Sequence, residues 1–316
     1  GLSVYAGRQL AREIKEGTNG SAMSDFQKQN VQWFPGHMAK TRRLIKESLP
    51  LVDCIVEILD ARIPYSSRNP ELSRLVGRKP RIVLLNKSDL ADETETSRWL
   101  KRFTSGGVAA MAVDCRSGKN LNRFRPLVRE VLKEKIRADA GKGMGGKPLR
   151  VMVLGIPNTG KSSFINRMAG KTKAEVADKP GVTRSNRWFD IGGGVELLDT
   201  PGVLWPKFED PKVGDKLAFI GSVKDEVIDT ESIAVRLLKL LKENYPGKIS
   251  SRYGVDLDAV ESDYSILEAI ALKRGMLLAG GVADTARASA AVLDEYRGGK
   301  LGRITLERAD DGYGLV

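Results

Sequence analysis

A glycine-rich loop followed by lysine and serine is the segment of this sequence with the clearest chemistry. It covers residues 155–163 and follows an apolar run at residues 150–154. Successive backbone amides of such a loop point at a phosphate, and glycine permits that close approach. Lys161 would neutralise the β- and γ-phosphates, which also gives it a catalytic role, and the hydroxyl of Ser162 would ligate Mg²⁺. The predicted phosphate contacts are Asn158, Thr159, Gly160, Lys161, Ser162 and Ser163.

An Asn-Lys-Ser-Asp string at residues 86–89 predicts which base this site accepts. A carboxylate at Asp89 can accept hydrogen bonds from both N1 and the exocyclic amino group of guanine, which adenine does not offer in that arrangement. A site built around such polar groups rejects the wrong base because they would be left unpaired. The string therefore favours GTP and argues against a phosphate-loop ATPase or kinase. The predicted base contacts are Asn86, Lys87, Asp89 and, in a further loop, Cys115 and Arg116.

Two more segments complete a GTP site. Asp199-Thr200-Pro201-Gly202 follows an apolar run, so Asp199 is expected to hold Mg²⁺ through water and the Gly202 amide to reach the γ-phosphate. Thr183, in Pro-Gly-Val-Thr-Arg, is the expected second Mg²⁺ hydroxyl in a loop ordered by the γ-phosphate. The alternative for Thr183 is an ordinary loop threonine.

The order of these motifs is rotated. In most GTPases the phosphate loop leads and the base-reading motif trails, whereas here Asn86 precedes Gly155. Each motif ends an apolar, strand-like run, and the runs alternate with helical segments, which indicates a mostly parallel sheet with helices on both faces. We therefore predict a circularly permuted α/β GTPase domain, with the glycine-rich residues 141–148 joining the ends of an ordinary one.

The chain divides by composition into three parts. Residues 1–22 are expected to be an extension outside the folded domains, residues 23–222 the permuted GTPase domain, and residues 223–316 an all-helical domain. Periodicity predicts helices over residues 231–244, 265–278 and 283–296. Basic side chains of this last part either contact RNA phosphates or are ordinary solvated positions: Arg274, Arg287, Arg297, Lys300, Arg303 and Arg308.

The net charge of +12 indicates a polyanionic partner, with RNA favoured over a membrane because no lipid anchor or basic amphipathic terminus is evident. The alternative is a generally basic surface. The two cysteines, Cys54 and Cys115, are expected to be reduced thiols, which fits a soluble cytoplasmic protein. Nothing in the sequence demands more than a monomer.

Catalysis is expected to depart from that of Ras-like GTPases. There, a glutamine after the aspartate-loop glycine orients the attacking water; here that position holds Val203, which cannot position water. Either hydrolysis is slow or another group supplies the function. His37, the single histidine, lies in Trp-Phe-Pro-Gly-His-Met and is either a packing residue or a group that swings towards the nucleotide.

Together these strings resemble the RbgA (YlqF) family of circularly permuted ribosome biogenesis GTPases, from about residue 23 to about residue 302. The strings that carry the resemblance are Trp-Phe-Pro-Gly-His-Met, Asp-Ala-Arg-Ile-Pro at residues 60–64, Asn-Lys-Ser-Asp, the phosphate loop, Pro-Gly-Val-Thr-Arg and Asp-Thr-Pro-Gly-Val-Leu-Trp-Pro. The resemblance implies a C-terminal helical domain and a role in late maturation of the bacterial large ribosomal subunit, whose rRNA and ribosomal proteins would be the partners. It also implies GTP hydrolysis stimulated by that particle, a catalytic role for His37, and a K⁺ ion ligated by Asn158.

Two other functions remain possible on the residues alone. One is a regulatory switch that binds a protein partner without RNA. The other is the small-subunit type of permuted GTPase, which resembles an N-terminal OB-fold barrel followed by a zinc cluster; the chain has too few cysteines and no β-rich N-terminal segment for that type.

Overall fold

The computed structural model describes residues 35–170, 187–205, 208 and 210–314 in two compact units. One unit contains the described residues of Phe34–Lys207 and Arg303–Val316, and the other contains those of Phe208–Gly302. Residues 1–22, one of the expected divisions of the chain, lie outside the described residues.

The first unit is built on a six-stranded sheet with the order β3-β2-β1-β4-β6-β5. All neighbouring strands are parallel except the edge pair of β5 and β6, so the predicted mostly parallel sheet is confirmed. The short edge strand β5 was not predicted. The strands are β1 (Cys54–Asp60), β2 (Arg81–Asn86), β3 (Ala109–Ala112), β4 (Leu149–Leu154), β5 (Arg187–Asp190) and β6 (Val195–Asp199).

Helices cover both faces of this sheet. Phe124 and Phe164 meet edge to face, with 5.0 Å between ring centroids, over the side chains that β1 and β4 direct to one face. Trp99 and Phe103 pack on the other face, against apolar side chains of β1 and β2. The helices of this unit are α1 (Pro35–Ser48), α2 (Pro70–Val76), α3 (Glu93–Ser105), α4 (Phe124–Val131), α5 (Lys133–Gly141) and α6 (Lys161–Ala169).

The strand order shows the circular permutation. The first strand in the chain, β1, lies inside the sheet, paired with β2 on one side and with β4 on the other. The glycine-rich residues after α5 form turns that lead directly into β4, as expected for a connection joining two former termini. Consequently the loops after β1, β2, β4 and β6 all lie at the carboxyl edge of one parallel sheet, where ligands of such sheets bind.

The second unit is helical. Its elements are α7 (Pro211–Phe219), α8 (Thr230–Asn244), α9 (Pro246–Tyr253), α10 (Asp263–Lys273) and α11 (Thr285–Arg297). The helices predicted from the sequence do not include the short helix α9, which begins at Pro246 because proline is favoured at the first position of a helix. The helix expected over residues 265–278 ends earlier, and an isolated bridge pairs Leu277 with Ala283.

Some of the basic side chains offered as phosphate contacts are held inside this unit. Arg297 donates to the carboxylate of Asp225 and to the backbone oxygens of Ala218 and Phe219. Arg274 lies over the ring of Tyr253. Arg297 therefore joins α7 to α11, and its guanidinium is not an open phosphate contact.

The observed units differ from the expected division of the chain. The helix α7, expected in the first domain, belongs to the helical unit, and residues 303–314 pack on the sheet unit instead of with the helices. In this C-terminal segment the Leu306 amide donates to the Arg62 oxygen, and Glu307 is fully buried. Buried carboxylates need hydrogen-bond donors, and Glu307 accepts from the backbone amides of Tyr65 and Ser66.

No helix in the described part of the chain is long and apolar enough to cross a membrane.

Candidate nucleotide-binding site

The phosphate loop lies between β4 and α6 and adopts a backbone that its sequence permits. Gly160 has φ +98°, and a Cβ there would overlap the side-chain amide of Asn86. Asn158 also has a positive φ, 70°, which asparagine tolerates better than most residues. The hydroxyl of Thr159 donates to the Ile156 oxygen at 3.1 Å, which closes the loop on itself. The loop therefore ends at the N-terminus of α6, where backbone amides face an anion.

Asn86 connects this loop to two others. Its Nδ2 donates to the Thr159 oxygen at 2.8 Å, and its Oδ1 accepts from the Cys115 amide at 3.0 Å. The side chain is almost fully buried. Asn86 thus braces the loops around the base site. Cys115 contributes its backbone amide, while burial raises the pKa of its thiol to about 12.

Lys87 links the phosphate loop to the end of β1 through its charged amine. Its Nζ donates to the Asn158 oxygen at 2.6 Å and lies 3.2 Å from Oδ2 of Asp60. The residue has φ 58°, an unusual backbone for lysine. Non-glycine residues with positive φ are uncommon and often mark functional loops.

Asp60 and Arg62 form a buried ion pair beneath Lys87 for which the sequence suggested no role. Nε and Nη2 of Arg62 donate to the two carboxylate oxygens of Asp60 at 2.9 and 2.8 Å. Burial alone would raise the pKa of Asp60, but the charges of Arg62 and Lys87 and the hydrogen bonds from Arg62 hold it below its ordinary value. Asp60 is therefore a fixed anion that orients Lys87. In the sequence, the Asp-Ala-Arg string that begins at the last residue of β1 is the feature that could have indicated this ion pair.

The carboxylate of Asp89 is the predicted base reader. Its Oδ1 is buried and has no hydrogen-bond partner among the described residues. A buried acceptor without a partner is costly unless a ligand satisfies it. The neighbouring loop holds Arg116, whose amide donates to the Asp114 carboxylate at 2.8 Å.

Lys161 and Asp199 contact each other at the opposite end of the site. Lys161 Nζ lies 2.6 Å from Asp199 Oδ1, and both side chains are largely buried. Ser162 and Ser163, on the first turn of α6, are exposed. A serine hydroxyl and a carboxylate are the hard oxygen ligands that Mg²⁺ prefers, so these residues fit the ion when phosphate oxygens complete its shell.

The Asp199–Gly202 segment lies against the phosphate loop. The Thr200 hydroxyl donates to the Val153 oxygen at 2.6 Å. A Cβ on Gly202 would lie 3.2 Å from the Pro157 nitrogen, so only glycine fits without a shift. Val203 is nearly fully buried.

Two predicted residues are not placed. Thr183 lies outside the described residues. The backbone of His37 lies in the first turn of α1, and its side chain is outside the described part of the chain.

Comparison with known proteins agrees with this geometry. The sequence profile of the family described as "50S ribosome-binding GTPase" matches residues 150–246. The chain is 43% identical over 282 residues to ribosome biogenesis GTPase A of Bacillus licheniformis, covering 89% of this chain and 99% of the relative. It is 34% identical to ribosome biogenesis GTPase A of Thermotoga maritima, covering 89% and 95%. The chain belongs to the ribosome biogenesis GTPase A family.

Solved structures of this family share the fold. GNP-bound YlqF from T. maritima has a TM-score of 0.61 and 31% identity, covering 86% of this chain and 99% of that one. GDP-bound YlqF has a TM-score of 0.62 and the same identity. Mitochondrial ribosome-associated GTPase 1 of mouse is a further relative, 35% identical, covering 88% of this chain and 90% of the relative.

The predicted family and the predicted GTPase activity are therefore confirmed. As a member of this family the protein hydrolyses GTP, an activity that typically uses Mg²⁺. The roles of individual side chains are inferences from their positions.

Proposed function

We propose that this protein is a GTP-hydrolysing assembly factor in late maturation of the bacterial large ribosomal subunit, acting in the cytoplasm as a monomer. Its GTPase would be stimulated by that particle, and its binding to rRNA and ribosomal proteins would be gated by the nucleotide. The names of its relatives support the ribosomal role. The observation that carries the proposal is Val203: a buried valine follows the aspartate-loop glycine in an otherwise well-formed nucleotide site.

The base side of this site would bind guanine. The unsatisfied oxygen of Asp89 accepts from the base, and Asn86 and Lys87 hold the loop that carries it against the phosphate loop. The Cys115 amide and Arg116 fix the neighbouring loop. Adenine has neither a hydrogen on N1 nor an amino group at C2, so it would leave Asp89 unpaired, which is how the site would reject it.

The phosphate side would bind the charge of GTP. When GTP binds, Lys161 would leave the Asp199 carboxylate and pair with the phosphates. The residues around the phosphates would be Asn158, Thr159, Gly160 and Ser163. Ser162, Thr183 and Asp199 would hold Mg²⁺, which neutralises phosphate charge when bound. The Gly202 amide would contact the γ-phosphate.

A further cation would sit near Asn158. This residue lies in the phosphate loop, at a turn of positive φ. A K⁺ ion there would supply the electrostatic stabilisation of an arginine finger. Asn158→Gly preserves the turn and removes only the side chain, so turnover of this variant in potassium and in sodium tests the site. Equal potassium stimulation of variant and wild type would rule Asn158 out.

His37 would supply the polar group that Val203 cannot. The first experiment is GTP turnover in potassium buffer with and without purified large ribosomal subunits. Strong stimulation of the wild type, lost in His37→Ala with unchanged GTP affinity, is the expected result. Ala39→Ser, an exposed change on the same helical turn, is the matched control. Unstimulated wild-type turnover would contradict the assembly role, and weakened GTP binding in His37→Ala would contradict the catalytic assignment.

A switch that binds a protein partner is favoured by one observation. Four large apolar side chains of the helical unit are at least 48% exposed. One of them belongs to the bridge between Leu277 and Ala283, and two more adjoin it; the four are Leu272, Leu277, Leu278 and Val282. Exposed apolar patches mark interaction sites. A salt titration separates the two functions, because RNA binding weakens steeply with ionic strength and an apolar interface does not.

A further inference from the structure

Asn69 makes two hydrogen bonds in opposite directions. Its Oδ1 accepts from the Glu71 amide at 3.0 Å and caps the N-terminus of α2. Its Nδ2 donates to the Val203 oxygen at 3.1 Å, across 134 positions of the chain. Exchanging the amide oxygen and nitrogen would set donor against donor and acceptor against acceptor, so the partners fix the orientation.

The second partner is the residue that follows Gly202. The amide of Val203 donates to the Gly155 oxygen at 3.3 Å, so both backbone polar groups of Val203 are bound, one by the phosphate loop and one by Asn69. Gly202, next to it, is close enough to Pro157 that a Cβ would force a shift. Val203 is thus held between the phosphate loop and a side chain on a different loop.

Asn69 is also well placed to be rigid. Only 2% of its surface is exposed, and helix capping fixes its side chain. A buried carbonyl that loses its donor costs free energy, because water cannot replace the bond. The conformation of residues 202–203 therefore depends on the Asn69 amide.

We propose that Asn69 is a positioning residue that holds Gly202 against the phosphate loop, in the arrangement that binds the terminal phosphate of GTP. This rests on the proposed contact between the Gly202 amide and the γ-phosphate. Loss of the Asn69 donor lowers affinity for GTP and leaves affinity for GDP, which has no γ-phosphate, unchanged.

The experiment compares Asn69→Ser with Asn69→Ala. Serine retains an N-cap acceptor and lacks the amide donor, whereas alanine lacks both. Affinities for GDP and for a non-hydrolysable GTP analogue are measured by titration with the full chain, without ribosomes. Both variants are expected to bind the analogue about 5- to 10-fold more weakly, as for loss of one buried hydrogen bond, with GDP affinity unchanged. Only Asn69→Ala is expected to lose thermal stability through the cap.

A cap removed elsewhere in the same unit is the control. Asp92 caps α3 by accepting from the Glu95 amide at 2.9 Å, and Asp92→Ala should lower the melting temperature without changing the ratio of analogue to GDP affinity. Equal weakening of GDP and analogue in Asn69→Ser, or no weakening of either, overturns the proposal. If Asn69→Ser does not fold, Asn69→Asp, which also caps and lacks the donor, is measured in its place. Failure of subunit stimulation would overturn the assembly role alone, because these titrations contain no ribosomes.

Discussion

The two ends of the nucleotide site are held in different ways. At the base end, Asn86, Lys87 and Asp60 are bound to protein groups, and a single acceptor oxygen on Asp89 is left over. At the phosphate end, the two charged side chains that would serve the ligand, Lys161 and Asp199, are bound to each other. The base end is complete before a ligand arrives, whereas the phosphate end must exchange partners.

This difference separates recognition from switching. A prebuilt base site binds GDP and GTP alike, since both carry guanine. Only the phosphate end can distinguish them, and its bonds are the ones that a ligand would replace. Changes at the base end should therefore alter stability or base choice, and changes at the phosphate end should alter affinity for phosphates.

The largest effect is expected from Asp60→Asn. It leaves the fully buried Arg62 without its anion, which typically costs about 3–5 kcal/mol of free energy of unfolding. Denaturant unfolding at pH 7 measures it. The pKa of Asp60 is lower in the folded state than in the unfolded state. Its contribution to the free energy of unfolding is therefore present above the unfolded-state pKa and is lost as the pH falls through the folded-state pKa. The difference in free energy of unfolding between Asp60→Asn and the wild type should therefore become smaller below about pH 4.

An exposed ion pair is the control for this variant. Arg43 Nε lies 2.7 Å from Glu47 Oε1 on the surface of α1, and Glu47→Gln should leave unfolding unchanged because solvent screens the pair. If Asp60→Asn lowers the free energy of unfolding no more than Glu47→Gln does, the buried charge of Asp60 does not stabilise the base end.

The next effect is expected at the phosphate end, from Lys161→Met. Removing a charged donor to the phosphates should weaken GTP and GDP binding by about 100-fold, which corresponds to the upper part of the range for hydrogen bonds to charged groups. Titration with a fluorescent guanine nucleotide measures it. Because the Asp199 carboxylate is also largely buried, loss of its partner should lower the free energy of unfolding as well, so the titration is made on protein shown to be folded by circular dichroism. Affinity within about twofold of wild type would contradict the assignment of Lys161 to the phosphates.

The sequence predicted the parts of the site whose chemistry is local. A phosphate loop binds through consecutive backbone amides, so residues 155–163 are enough to predict it. The Asn-Lys-Ser-Asp string is likewise enough to predict Asp89 as the base-reading carboxylate. The braces could not be predicted in this way. Asn69 meets Val203 across 134 positions, and Glu307 meets Ser66 across 241. Such contacts depend on which loops the sheet brings to one edge, and no local pattern contains that information.

The same limit explains the secondary structure that was missed. The edge strand β5 has four residues and pairs antiparallel with β6 alone, so its sequence shows no long apolar run. The C-terminal segment, residues 303–314, has no periodic pattern and was assigned to the helices that precede it. Its place on the sheet unit is set by partners in α3 and in the loops after β1 and β2, among them Trp99 of α3, whose Nε1 donates to the Glu307 oxygen at 2.9 Å.

A smaller effect, on base choice, is expected from Asp89→Asn. The amide retains one acceptor but loses the second, so GTP affinity should fall by about 10- to 100-fold. Xanthine carries an oxygen where guanine carries the exocyclic amino group, and the asparagine amide can donate to it. Competition between xanthosine and guanosine triphosphates measures the change. A parallel loss for both nucleotides would mean that Asp89 does not read the base.

The smallest effect is expected from Glu307→Gln, which tests whether the C-terminal segment contributes to the base end. The Glu307 carboxylate accepts from the Tyr65 and Ser66 amides and from the Ser66 hydroxyl, in the loop that follows the Asp60–Arg62 pair. Glutamine turns one acceptor into a donor, so about 1–2 kcal/mol should be lost locally. Hydrogen exchange of the Tyr65 and Ser66 amides measures it.

The control for Glu307→Gln is Asp310→Asn on the same segment, because the side chain of Asp310 is 84% exposed. If the C-terminal segment stabilises the base end, amide hydrogen exchange in Glu307→Gln should also become faster in the loop that carries Arg62, whose backbone oxygen accepts from the Leu306 amide at 2.9 Å. The affinities for GDP and GTP should then fall together. A change confined to GTP would instead place the effect at the phosphate end. That result would break the separation between the two ends, because hydrogen bonds join Glu307 to Tyr65, Ser66 and Trp99, on the base side of the sheet unit.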